Sequence, residues 1–420
     1  MKRSKHWLAA LLAALLIAAP LALPVFAQTP AEAKTQVLGY IAGSVKTPAF
    51  GSEWFVLAQA RGGIKNAPYY KDYYTRAESY VKSMANSSAK LSDRYSTENS
   101  RLILAVSSIG KNAADVGGFD LTAPLSDLEW LKKQGVNGPV YALLALDSGN
   151  YGTAQMRETL RTYILSQEMS SGGWSFSGYA ADADMTSMAL QALAGYRDKT
   201  GVAEAVGRAV TFLSGLQLAN GSFGFEEDGT NAESTAQVII ALSALGIDPV
   251  TDARFVKAGG NPLSALLAYQ LANGGFKHKP ADAAANPIAT DQAARALVAY
   301  DRFIKGERFL YANMYAPHAH VLGEWTVRTA VTCIADGLEY QPCGGCLVEE
   351  NTRTVAALGH KYTDTVTQPT KKAGGHTTHT CERCGNSYRD SYTEKIKRTQ
   401  GFGFFDWILF IFCFGWIWMD

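Results

Sequence analysis

The chain has 420 residues, 47% of them apolar and 18% charged, which supplies a sizeable core and excludes disorder as its main character. Its 39 basic and 38 acidic residues leave a formal net charge of +1 and form no long blocks, so the footprint of a nucleic-acid binder is missing. All six cysteines lie at or beyond Cys333, so whatever the chain does before that point it does without thiol chemistry.

At the N-terminus Lys2, Arg3 and Lys5 precede an apolar run over 7–19, and Val25-Phe26-Ala27 places small residues where a signal peptidase reads. Residues 1–27 are therefore expected to be a signal peptide, and the protein to be exported. An uncleaved membrane anchor is the competing reading, and the run is short for one. Cleavage after Ala27 takes away three positive charges and leaves the mature chain at −2.

Over 34–312 the dominant signal is self-similarity with a period of about 50 residues. A first helix is predicted over 34–41, and capped helices over 52–60, 97–106 and 137–146, alternating with helices over 71–82, 121–133, 154–167, 202–216 and 262–270. Three glycine-aromatic turns punctuate the later part, QEMSSGGW ending at Trp174, QLANGSF at Phe223 and QLANGGF at Phe276. Each leads to an aligned helix start: Asp182-Ala-Asp184-Met185-Thr186, Asn231-Ala-Glu233-Ser234-Thr235 and Asn286-Pro287-Ile288-Ala289-Thr290. Asn and Asp are good N-caps and Pro is tolerated just after one, so these starts share one phase. A helical hairpin cannot bury its apolar face alone, and six stacked at constant rotation close on themselves. The fold expected is mainly α, an (α/α)6 toroid or barrel, followed by a small Cys-rich β module and an apolar C-terminal tail.

That module, over 324–393, is rich in Thr, Gly, Cys and His and is itself duplicated: the pair Cys343 and Cys346 recurs as Cys381 and Cys384, while Lys371 stands where the first copy has Cys333. The tail over 395–420 is basic and then apolar. Its uncharged stretch over 407–419 is about 20 Å long if helical, short of a bilayer core, and suits association with a membrane better than a full span. Packing onto a partner or the barrel is the alternative for it.

The Gln-x3-Gly-x-aromatic turns and the capped helices ending in Ala-Leu resemble the α/α-toroid superfamily of terpenoid cyclases, protein prenyltransferase β subunits, complement-type thioester domains and cobalamin carriers. More narrowly, the segments FGSEWFVLAQARGG, SRLILAVSSIGKNAADVGGFDL, QGVNGPVYALLALDS and ESTAQVIIALSALGIDP are similar to exported bacterial surface proteins with prenyltransferase or squalene-cyclase repeats. The resemblance implies the fold; activity resides in sites and has to be argued from them.

A hopene cyclase protonates its polyene with an aspartic acid in an Asp-x-Asp-Asp-Thr motif. Carried over position by position, this resemblance makes Asp184 the proton donor and Asp182 its neighbour, but Met185 replaces the next carboxylate. The competing reading makes Asp182 a helix cap and Asp184 a first-turn acid favoured by the helix dipole. Prenyltransferase chemistry needs an Asp, Cys and His zinc site, and the repeat region has no cysteine and one histidine, His278; a thioester motif is also missing. The turn aromatics either line a ligand site or pack under the neighbouring hairpin, with their glutamines bonding free backbone groups. Acids at helix starts, Glu53, Glu98, Asp184 and Glu233, are expected to converge on one rim, and Trp54 and Tyr141 complete the rim candidates for ligand binding. No cofactor is expected in the toroid.

In the module, Cys343, Cys346, Cys381 and Cys384 form a four-thiolate set suited to zinc; disulfides are the alternative in an exported protein. A second zinc set is Cys333, Cys343, Cys346 and His360. The module resembles Gly-His-x-Tyr and Thr-Cys-x-x-Cys-Gly repeats appended to bacterial surface proteins, through Gly359-His360-Lys361-Tyr362 and Thr380 to Gly385. The reading that follows is an exported protein at the cell surface or membrane that binds a small molecule, a lipid or a protein without catalysis. Its alternative is a terpene cyclase-like enzyme that protonates a polyprenyl or other lipid substrate.

Overall fold

The computed structural model describes residues 28–225 and 229–397. The expected signal peptide, the apolar tail from 398 on and Cys413 within it lie outside the described residues. Among the described residues no helix is long and apolar enough to cross a membrane. The chain divides into two compact units, one made of the residues up to Val321 together with Cys343–Glu349, the other of Leu322–Pro342 with the residues from Glu350 on.

The first unit is helix-rich. Its helices alternate in kind along the chain: α1 (Pro30–Ser44), α2 (Glu53–Arg61), α3 (Ala67–Met84), α4 (Ser96–Ser108), α5 (Leu128–Leu131), α6 (Asn137–Ser148), α7 (Ala154–Ser166), α8 (Ala183–Leu193), α9 (Val202–Leu216), α10 (Ala232–Leu245), α11 (Pro262–Leu267) and α12 (Pro287–Ile304). The even-numbered helices pack on one another in chain order from α2 to α12, and α12 packs on α2, so the series closes. Their sequences explain why they lie inside. In α10 nearly every residue from Ala232 to Ser243 is buried, as expected of a helix that is apolar or small all round. Odd-numbered helices bury one stripe only: α9 hides Val202, Ala205, Val206, Ala209, Val210 and Leu213, the spacing of a single helical face.

The helix starts are built as the aligned motifs predict. Asp182 accepts from Met185 N at 2.7 Å, Asn231 from Ser234 N at 2.7 Å and Asn286 from Ala289 N at 3.1 Å. A further device repeats with them. Thr186, Thr235 and Thr290 accept at Oγ1 from the backbone N–H of Trp174, Phe223 and Phe276, at 3.0, 3.1 and 3.0 Å, tying each turn to the helix that follows it. The helix expected over 121–133 breaks into a 3-10 turn (Ala123–Ser126), the short α5 and a second 3-10 turn (Lys132–Gln134). Asp127 restarts it by accepting from Trp130 N. The helix expected over 262–270 stops at Leu267.

In the second unit two three-stranded antiparallel sheets follow one another, β3-β4-β5 and β6-β7-β8. A two-residue hairpin, β1 (Gly224–Phe225) and β2 (Gly229–Thr230), belongs to the first unit. The strands are β3 (Thr326–Thr329), β4 (Gly337–Pro342), β5 (Glu349–Val355), β6 (Tyr362–Thr367), β7 (Gly375–Cys381) and β8 (Ser387–Thr393). β8 is exposed along its whole length, while Cys333 and Cys381 are buried. Sheets with so little apolar cover need a staple of another kind.

Candidate functional site

Asp182 and Asp184 stand two positions apart at the start of α8 but have different work. Asp182 Oδ1 caps the helix and its Oδ2 accepts from Phe176 N at 3.1 Å, so both oxygens hold backbone. Burial pushes its carboxyl up, and those N–H groups oppose the rise. Asp184 is the second residue of the helix, within its first turn, and its Oδ1 is buried without a hydrogen-bond partner. Burial raises this carboxyl to about 6; the Ser234 hydroxyl opposes that, and the charges of Asp182 and Glu233 add to it. Asp184 faces a cavity of about 420 Å³ whose other walls include Phe176, Met185 and Met188. Asn137 Oδ1, at the start of α6, also lines it and is likewise buried and unpartnered. A mostly apolar chamber with a few unsatisfied polar atoms is the usual form of a small-molecule site. Met185, where a carboxylate was missed in the motif, is one of its apolar walls.

The other rim candidates fall into different surroundings. Glu53 is buried, accepts from Gly51 N at 2.8 Å and pairs with Arg101 at 2.7 Å; burial pushes it up and Arg101 pulls it back. Desolvation raises Glu98, and the same arginine opposes this. Glu233 pairs with His278 Nδ1 at 2.8 Å. Trp54 and Tyr141 belong to a packed cluster, with ring centroids 5.7 Å apart. The guanidinium of Arg295 lies 4.3 Å from the Trp54 ring centre, pairs with Asp291 and donates to the Tyr311 hydroxyl at 2.9 Å. A protein cation thus already occupies the face of Trp54.

Trp174, Phe223 and Phe276 are fully buried in the core. Gln217 and Gln270 bond backbone carbonyls of their own turns and of a neighbouring segment, Phe255 O at 2.9 Å and Ala33 O at 3.1 Å. Gln167 departs from this pattern and bonds Ser166.

Among the described residues two Cys/His groups can hold a metal ion: His318, His320, Cys343 and Cys346 in the first unit, and Cys333, His360, Cys381 and Cys384 in the second. In each, the donor atoms lie within 4.8 Å of one another. Both ligand sets expected from sequence are corrected. The four cysteines of the paired knuckles do not share one group, and Cys333 and His360 stand with the second knuckle rather than the first. The reason is that Cys343 and Cys346 return to the first unit, where His318 and His320 wait just before the module's expected start. The His-x-His pair was the available signal. Equally legible and unused were the aligned threonines and the Asp291-x3-Arg295 spacing inside an apolar helix.

No family model matches the chain, and no curated protein does. Solved structures do. The chain is similar to type II terpene cyclase MstE from Scytonema, in its apo form at 11% identity over 65% of this chain and 99% of that one, with a TM-score of 0.46. A variant of that cyclase with geranylgeranyl dihydroxybenzoate bound matches at 12% identity, over 65% and 98% of the two chains, with a TM-score of 0.46. Another, holding merosterolic acid A as product, matches at 12% over 66% and 98%, with a TM-score of 0.42. Of these three structures one is apo, one holds substrate and one holds product. The expectation of a non-catalytic ligand- or partner-binding surface protein is given up here, and its alternative is taken up as a proposal below.

Proposed function

We propose that the first unit is an (α/α)6 toroid that works as a terpene cyclase-like enzyme, with Asp184 as the proton donor to an isoprenoid chain held in the 420 Å³ cavity. The observation that carries this reading is Asp184 itself, a largely buried carboxyl with an unpartnered Oδ1, standing among the residues that line a mostly apolar cavity. A carboxyl with its pKa near 6 keeps its proton far above the usual aspartate range, so it can act as a general acid. In the step proposed, the π electrons of a trisubstituted alkene take the proton of the Asp184 carboxyl, the O–H bond breaks and Asp184 is left as carboxylate. The resulting tertiary cation is closed on by the next double bond of the same chain, and loss of a proton to the carboxylate or to water ends the sequence. Phe176, Met185 and Met188 supply apolar and polarizable walls beside the cation. Asp182 holds the start of α8, and with it Asp184, in place.

For the thiolate- and imidazole-rich groups we propose Zn²⁺, because soft sulfur and borderline nitrogen donors in fours suit that ion. We also propose export on the strength of the sequence over 1–27. The catalytic reading is tested by incubating purified protein with linear C15, C20 and C30 polyprenyl substrates and examining the products by gas chromatography with mass spectrometry. Cyclised product from wild type and none from Asp184→Asn is the expected result. Wild type that leaves every polyene unchanged overturns it.

A further inference from the structure

We infer that this chain takes up two zinc ions at two separate sites with different donor sets, and that the first is a clasp fixing the returning segment Cys343–Glu349 to the helical unit. This rests on the zinc reading above and adds the number of ions, their ligands and the task of one of them.

A tetrahedral ion with Zn–S bonds of about 2.3 Å and Zn–N bonds of about 2.0–2.1 Å sets its ligand atoms about 3.8 Å apart for a sulfur pair and about 3.5 Å for sulfur and nitrogen. In the second unit Cys333 Sγ and Cys381 Sγ are 3.8 Å apart, and Cys384 Sγ and His360 Nδ1 3.4 Å. In the first, His320 Nδ1 lies 3.3 Å from Cys343 Sγ and 4.0 Å from Cys346 Sγ. Two edges of each group thus suit a zinc tetrahedron and the remaining donor atoms lie within 4.8 Å, one group with Cys3His donors and the other with Cys2His2. A disulfide needs sulfurs about 2.05 Å apart, far closer than the 3.8 Å between Cys333 Sγ and Cys381 Sγ.

His318 supplies the independent observation. Its Nδ1 faces the carbonyl oxygen of Ala316 at 3.1 Å, while its Nε2 is buried and has no hydrogen-bond partner. An imidazole that donates at Nδ1 presents a lone pair at Nε2, the orientation that a second shell imposes on a zinc histidine. A buried ring nitrogen left unpaired is costly unless something accepts that lone pair. Gly345 N donates to Cys343 Sγ at 3.3 Å, within the knuckle.

The clasp follows from chain path. The chain leaves the first unit after Val321 and re-enters it at Cys343. His318 and His320 stand at the exit, Cys343 and Cys346 at the return, so one ion closes the excursion. The returning segment is laid against the end of α4: Leu347 N donates to Ile109 O at 2.9 Å, and a side chain at Gly110 would collide with Cys346 Cα at 2.7 Å. Gly110, with φ of +78°, is needed there on both counts.

The test is zinc content of the purified full chain, by inductively coupled plasma and native mass spectrometry, after adding Zn²⁺ alone and removing excess. Two ions per chain are expected. His320→Ala with Cys343→Ser is expected to hold one and to increase amide hydrogen exchange over 109–111 and 343–349, which Cys333→Ser with Cys381→Ser leaves unchanged while also holding one. With Co²⁺ in place of Zn²⁺, the sulfur-to-metal charge-transfer band should stand about three to two between the first and second variants, following their thiolates. One ion per wild-type chain, or equal exchange in both variants, overturns the two-site clasp while leaving zinc binding standing. No zinc, with two fewer free thiols per bond, overturns zinc binding itself. Because the wild-type stoichiometry needs no variant, a variant that fails to fold does not shield the inference.

Discussion

Replacing Asp184 by Asn should stabilise the protein at neutral pH while removing the proposed acid. In the folded chain this carboxyl titrates near 6 instead of 3.8, because burial disfavours its charge. A shift of about two pH units corresponds to about 3 kcal/mol. Below pH about 4 the group is protonated in both folded and unfolded chains and contributes nothing. Between about 4 and 6 the folded state binds the extra proton, so the stability of wild type falls as pH rises, and above 6 the loss is complete. An amide of the same shape carries no charge and escapes this loss. The variant should therefore match wild type near pH 4 and exceed it by about 2–3 kcal/mol at pH 7 to 8. Urea unfolding at a series of pH values, followed by circular dichroism at 222 nm so that the helical unit is read, measures the difference. A gap that does not change with pH, or a variant weaker than wild type at pH 8, would refute the assignment of a buried, strained charge to this residue.

The same titration governs activity: kcat/KM for a cyclised polyene should be level below pH about 6 and fall tenfold per unit above it, which a pH–rate profile checks. Thr235→Val keeps the side-chain shape but leaves the buried N–H of Phe223 without its acceptor, and should cost about 1–3 kcal/mol in urea unfolding. Arg295→Met strands Asp291 as a buried unpaired charge and should cost about 3–5 kcal/mol, most of it recovered when Asp291→Leu is added; an additive double variant would show the pair to be uncoupled. Gly345→Ala brings a methyl within 2.1 Å of the His318 ring and should lower zinc content by one ion per chain, read by mass spectrometry.

How much of this was legible depends on the range over which each feature is decided. The helix starts at Asp182, Asn231 and Asn286 are local: a side-chain oxygen reaches an N–H three residues on, so spacing alone places them, and the structure has all three caps. The helix over 121–133 was misjudged for the same local reason in reverse. Its apolar spacing was read, but the short-range carboxylates were not: Asp120 accepts from Thr122 N and Asp127 from Trp130 N, and each offers the backbone an alternative to one continuous helix. Neither competes in α8 or α10, where the one capping group lies at the very start.

The site residues are decided at long range, and there the sequence pattern divides. Asp184 is reachable because the repeat aligns it with Glu233 and its surroundings resemble the cyclase Asp-x-Asp-Asp-Thr motif, yet nothing local says that its Oδ1 lacks a partner or that Asn137 and Phe176, from other parts of the chain, wall the same cavity. Trp54 and Tyr141 show the converse. Aromatics at the start of α2 and within α6 look like ligand surface until Arg295, far along the chain on α12, is found filling the space over the indole ring. The metal groups make the point most sharply. Each knuckle, two cysteines three positions apart, is local and was read; its partners are set by where the chain goes between Val321 and Cys343, a path that composition does not encode. A duplicated module invites pairing copy with copy. The first knuckle instead takes two histidines from beyond the module, which leaves Cys333 of the first copy to fill the place that Lys371 vacates in the second.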